Sequence, residues 1–164
     1  MDIRHKLILV VAACLLLITG CSGDVDTDGM FADANSTNVQ RAATLYTVYQ
    51  AKHNWTGPES REALVEWAKT LPANQLERIG VDPNAIAEML DQGTDGQPLK
   101  FRWGIVTKPR DPPVPIVFES SAIEGKFKVA FTGYVFKEVE QAEYDRLWSG
   151  EGDEQAAPQG RPGS

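Results

Sequence analysis

Cysteine and histidine are nearly missing from this chain, with two of each among 164 residues. Cys14, Cys21 and His5 all fall inside or beside an apolar amino-terminal run, which leaves His53 as the one imidazole further along. That scarcity excludes a Cys/His metal cluster beyond the run, and any Ser/His/Asp arrangement would have to use His53. His53 follows Ala51-Lys52 at an expected helix end, where a cation is favoured, and it reads as a terminal histidine rather than a base. Basic charge is also scarce: 16 Lys and Arg stand against 23 Asp and Glu, for a net charge of −7, which excludes a nucleic-acid binder. The apolar run Leu7 to Ile18 has 12 residues, short of the roughly 20 that a spanning helix needs. A Gly-rich phosphate loop, a nucleophile elbow and an internal repeat are missing too. The carboxylates Glu59, Glu62 and Glu66, like Glu138, Glu140 and Glu143, recur at spacings that suit a solvated helix face. No catalytic residue, cofactor or metal is therefore expected.

What is present is ordinary globular material, 42% hydrophobic and 24% charged, and enough of it for one domain. The start has a basic n-region with Arg4 and Lys6, the apolar run, and small residues at Thr19-Gly20. This is the plan of a secretory signal peptide over residues 1–20. Leu17-Ile18-Thr19-Gly20-Cys21 resembles the lipobox of bacterial lipoproteins. The resemblance implies a diacylglyceryl group on the Cys21 thiol, cleavage before it, and a lipid-anchored protein of the cell envelope facing the periplasm. Val11-Ala12-Ala13-Cys14 also satisfies the loose pattern but leaves too short an h-region, so Cys21 is the expected lipidation site. Ser22 after the cysteine resembles lipoproteins sent to an outer membrane.

Residues 21–38 then read as the lipidated cysteine and an acidic tether carrying Asp24, Asp26, Asp28 and Asp33. Asp24-Val25-Asp26-Thr27-Asp28-Gly29 matches positions 1, 3, 5 and 6 of an EF-hand calcium loop. Asn35 at position 12 lacks the bidentate carboxylate, so the tether reading is preferred. Thr37 with Gln40 forms a capping box that opens a helix whose apolar face is Val39, Ala42, Ala43, Leu45, Tyr46, Val48 and Tyr49. Thr56-Gly57-Pro58-Glu59 reads as a turn and second capping box before a helix burying Leu64, Val65, Trp67, Ala68 and Leu71. Short helical pieces follow over residues 74–79 and, after Asp82-Pro83, around Ile86, Met89 and Leu90.

From Gln92 the pattern changes to turns and alternation. Leu99, Phe101, Trp103 and Ile105 alternate with Lys100, Arg102 and Gly104 as a half-buried strand does. Further strands are expected over 114–119, 127–131 and 134–139, with Thr132-Gly133 linking the last two. A final helix over 140–148 and a tail over 150–164 complete the chain. The expected fold is α+β: amino-terminal helices on one face of a small antiparallel sheet of about four strands, plus a carboxyl-terminal helix, in one domain over 39–149.

Residues 99–137 carry a net charge of +4 inside an otherwise acidic chain. Alternation puts Lys100 and Arg102 on the outer face of one strand and Lys126 and Lys128 on that of another. A cationic stripe on an open sheet face is therefore the expected binding face, suited to an anionic envelope polymer, a lipid head group or an acidic envelope protein. A solvated face that resists edge-to-edge pairing is the competing account. Lys108 to Pro115, with four prolines, reads as a stiff connection or a docking segment.

The Tyr-bearing helix, the loop His53-Asn54-Trp55-Thr56-Gly57-Pro58-Glu59, the helix with Leu64 and Trp67, and the turn Asp95-Gly96-Gln97-Pro98 entering a strand resemble the soluble domain of type II secretion pseudopilins over residues 39–105. The family's amino-terminal prepilin signature, long spine helix and acidic calcium loop have no counterpart here. The functional expectation is a membrane-anchored, non-enzymatic binding or assembly module. A pseudopilin-like secretion accessory and a carboxylate-based hydrolase of envelope polymers are the alternatives.

Overall fold

The computed structural model describes residues 37–151. The expected signal segment and lipobox-like stretch at Cys21, the acidic run and the tail beyond residue 151 lie outside the described residues.

Helix α1, Asn38–Lys52, begins where the capping box predicts. Thr37 Oγ1 accepts from Gln40 N–H at 3.3 Å, and Gln40 Oε1 accepts from Thr37 N–H at 3.0 Å. Val39, Ala42, Ala43, Leu45 and Tyr46 are buried as expected, but so are Thr44, Thr47 and Gln50. The helix is enclosed on more than one side because it packs against the sheet and against helices α2 (Arg61–Ala68) and α4 (Ile86–Asp91). Helix α2 starts later than the expected capping box at Thr56 and Glu59. Ser60 is the cap, its Oγ accepting from Ala63 N–H, because Thr56 is already engaged in an antiparallel bridge with Val106. Helix α3, Ala73–Arg78, is stopped by Gly80 at φ 70°.

The sheet is an antiparallel meander, β1 (Lys100–Phe101), β2 (Pro115–Phe118), β3 (Phe127–Phe131) and β4 (Val135–Val139), in that spatial order. Helix α5, Gln141–Ser149, follows and ends at Gly150 in the left-handed region. The α+β architecture is the one expected. The first strand is shorter than its alternation suggests. After Arg102, whose N–H still donates to Ile116 O, the chain leaves β2, turns at Gly104 (φ 67°), and pairs instead with the loop before α2.

Register decides what each face of the sheet meets. Lys100 pairs with Phe118 and Phe118 with Val129; Lys128 pairs with Glu138 and Ala130 with Phe136. Since side chains alternate, Phe118, Phe127, Val129 and Phe131 share one face, where Tyr144 of α5 packs on them. Val117, Ala130, Phe101 and Phe136 share the other, against the α1 layer. Both faces are covered.

Candidate interaction surface

The predicted cationic stripe does not assemble. Lys100 lies on the α5 face, its ammonium 5.6 Å from the Tyr144 ring centroid and 5.8 Å from that of Trp148. Lys128 is one residue out of phase with Val129 and so lies on the α1 face, opposite Glu138. Lys126 sits in the exposed turn closed by the Ile123–Lys126 bridge. Arg102 lies just past β1, its N–H still donating to Ile116 O at 2.9 Å, and is half-buried, its carbonyl accepting from the Tyr46 hydroxyl at 3.0 Å. Neither expected pair shares a strand, since Arg102 lies past β1 and Lys126 before β3, and the phase between Lys100 and Lys128 is set by register.

His53 caps the carboxyl end of α1. Its ring stacks on Tyr49 at 3.8 Å, with Trp67 edge-on, and its Nδ1 lies 2.8 Å from Tyr49 O, which makes Nδ1 the protonated nitrogen. The Lys108–Pro115 segment divides in two. Lys108 to Asp111 is a tight turn in which Asp111 N–H donates to Lys108 O and Asp111 Oδ2 accepts from Lys108 N–H. Pro109 occupies its second position and Arg110 its third, at φ 79°, where glycine or asparagine is the usual residue.

Two buried side chains of α1 join two distant loops. The Tyr46 hydroxyl accepts from Ile105 N–H at 3.2 Å, and Gln50 Nε2 donates to Ile105 O at 2.9 Å. The backbones of the loops then pair directly: Gly57 N–H donates to Ile105 O, Gly104 N–H to Pro58 O, and Thr107 N–H to Trp55 O. Gly57 packs so closely on Tyr46 that a Cβ there would overlap the phenol. Burial pushes the Tyr46 phenol up to about 12, outweighing the Ile105 backbone hydrogen bond and the Arg102 charge, which act the other way. The two loops are thus held to each other and to α1 by hydrogen bonds. On them stand Trp55, 40% exposed, and Val106, 66% exposed.

These residues share one end of the molecule with a third loop. Phe131 pairs with Pro115, and Thr132 N–H donates to Val114 O, so the β3–β4 turn lies at the end of the sheet toward which residues 102–107 run. That turn presents Tyr134, 47% exposed. Three of the four large exposed hydrophobics among the described residues, Trp55, Val106 and Tyr134, therefore occupy this end. So do four of the five non-glycine residues with positive φ among the described residues: Asn54, Trp55, Arg110 and Tyr134. Such backbone costs about 1–3 kcal/mol per residue and concentrates where function requires it.

The opposite end holds the start of α1. Thr37, Val39, Gln40, Lys128, Phe136 and Glu138 line a cavity of about 230 Å³ there, below the roughly 300–1,000 Å³ of small-molecule sites. Glu119 is a buried carboxylate that sequence reading passed over. It accepts from Thr94 N–H and from Thr94 Oγ1 at 2.5 Å and so ties the 93–97 loop to β2.

Among the described residues no group of three or more His, Cys, Asp or Glu side chains is placed to hold a metal ion, and no helix is long and apolar enough to cross a membrane. Sequence reading missed Trp55, Val106 and Tyr134 as a set. The local signal was limited to Trp55 in a Gly-Pro loop, and Val106 and Tyr134 stood beside expected strands with nothing to mark them. Compared with protein families, with curated proteins and with solved structures, the chain matches none.

Proposed function

We propose that this chain is a bacterial envelope lipoprotein, anchored through Cys21 and facing the periplasm, whose domain is a non-enzymatic binding module. Its contact surface is the end that carries Trp55, Val106 and Tyr134. The observation that supports this reading is the exposed Trp55 held at φ 65° by hydrogen bonds from both sides. The left-handed backbone and its hydrogen bonds fix a large indole with 40% of its surface still exposed, an anchor presented for a contact made outside the chain. The lipobox resemblance supports the anchor.

A secretion-system accessory role is a second proposal. It is favoured by α1 leading through the 53–59 loop and lying along a meander sheet, as the pseudopilin resemblance implies.

The test is a photo-cross-linker at position 106 in living cells, with the Cys21→Ala and Trp55→Gly variants. An adduct of the anchored protein is expected, and it is lost in Trp55→Gly while that variant keeps a cooperative thermal transition, glycine being at ease in the left-handed region. A full adduct in Trp55→Gly would remove this surface from the proposal. Lipid labelling that persists in Cys21→Ala would move the anchor to Cys14 or refute it.

A further inference from the structure

The charge around the exposed apolar residues identifies what they meet. Lys52 ends α1 three residues before Trp55, and Lys108 follows Thr107, whose N–H donates to Trp55 O. Arg110 stands at the tip of the next turn, and all three cations are exposed. In a chain of net charge −7, this end sets three cations, against the carboxylates of Asp111 and Glu59 on the same loops, beside Trp55, Tyr134 and the aliphatic Val106, with Asp111 Oδ2 engaged by Lys108 N–H. Aromatic rings with a polar edge, a protruding aliphatic side chain and flanking Lys and Arg are the chemistry of the bilayer interface. There the apolar groups sit below the head groups and the cations pair with lipid phosphate.

We infer that the three loops dock on the surface of an anionic phospholipid bilayer, laying Trp55, Val106 and Tyr134 into the interface while Lys52, Lys108 and Arg110 engage phosphates. This rests on the reading of that end as the contact surface and names its partner. The geometry permits docking on the membrane that holds the anchor. Helix α1, of 15 residues, separates the two ends by about 22 Å. The 15 residues between Cys21 and Thr37 span up to about 50 Å when extended. Anchoring supplies a high effective concentration, so a weak surface contact suffices.

The test uses the full chain, purified from membranes and bound to vesicles whose acyl chains carry bromine just below the head groups. Vesicles of phosphatidylglycerol with phosphatidylcholine are compared with phosphatidylcholine alone. In the anionic vesicles, bromine is expected to quench a tryptophan component that Trp55→Phe removes. That component should fall several-fold in the Lys52→Gln, Lys108→Gln, Arg110→Gln variant and in phosphatidylcholine alone. Absence of a Trp55-dependent component, or one indifferent to both charge changes, overturns the proposal. In that event a protein adduct from position 106 in cells would retain the broader reading of the surface, and no adduct would end both.

Discussion

Tyr46 shows how one residue links core and surface. It is fully buried, yet its hydroxyl donates to Arg102 O and accepts from Ile105 N–H, and these bonds set the loop that carries Val106. Replacing it by Phe takes this partner from the half-buried Arg102 carbonyl and Ile105 amide, a cost of about 1–3 kcal/mol. The same burial gives a pH dependence. With the folded phenol held at about 12 and the unfolded one near 10, the native state keeps its proton longer. That contribution is complete below pH ~10 and is lost as the pH rises toward 12, by at most roughly 2–3 kcal/mol. Urea midpoints at pH 8 and pH 11 should therefore converge in Tyr46→Phe relative to the parent; an equal alkaline loss in both would show that another group titrates. In the sequence Tyr46 reads only as part of the apolar face of the first helix, because its polar partners lie 56 and 59 residues away.

Helices and strands were legible where their determinants are local. The Thr37 and Gln40 cap and the 127–131 strand appear where pattern and capping chemistry place them. The Thr37→Ala variant should lose about 1 kcal/mol, with faster amide exchange confined to the first turn of α1. Unchanged exchange there would mean that tertiary packing alone holds the helix start. Elements failed to match expectation where a distant segment competed for the same backbone. Lys100 to Ile105 alternates like a strand, but Gly104 turns and residues 104–107 spend their hydrogen bonds on the 55–58 loop. For the same reason Thr56 is unavailable as a cap and Ser60 replaces it.

The fold has two apolar clusters separated by the sheet, and α5 closes the smaller one. Tyr144 contacts the rings of Phe118 and Phe127, and its hydroxyl donates to Glu119 O at 2.8 Å. The Tyr144→Ala variant should lose about 3 kcal/mol or more through the cavity and the unpaired carbonyl, read as a lower urea midpoint and fast exchange throughout α5. A loss under about 1 kcal/mol would show that α5 contributes little to holding the sheet.

Sequence alone determined the α+β class, most element positions and the scarcity of cysteine and histidine, because periodicity, capping and composition act over a few residues. It also located the charge asymmetry, but not its arrangement. Tertiary structure decided that Lys100 and Lys128 face opposite ways, since register between strands is set by cross-strand packing and bulges rather than by the pattern within one strand. It decided likewise that Trp55, Val106 and Tyr134 meet at one end, because that depends on the paths of three loops far apart in the chain, held by hydrogen bonds from buried side chains that no local pattern announces.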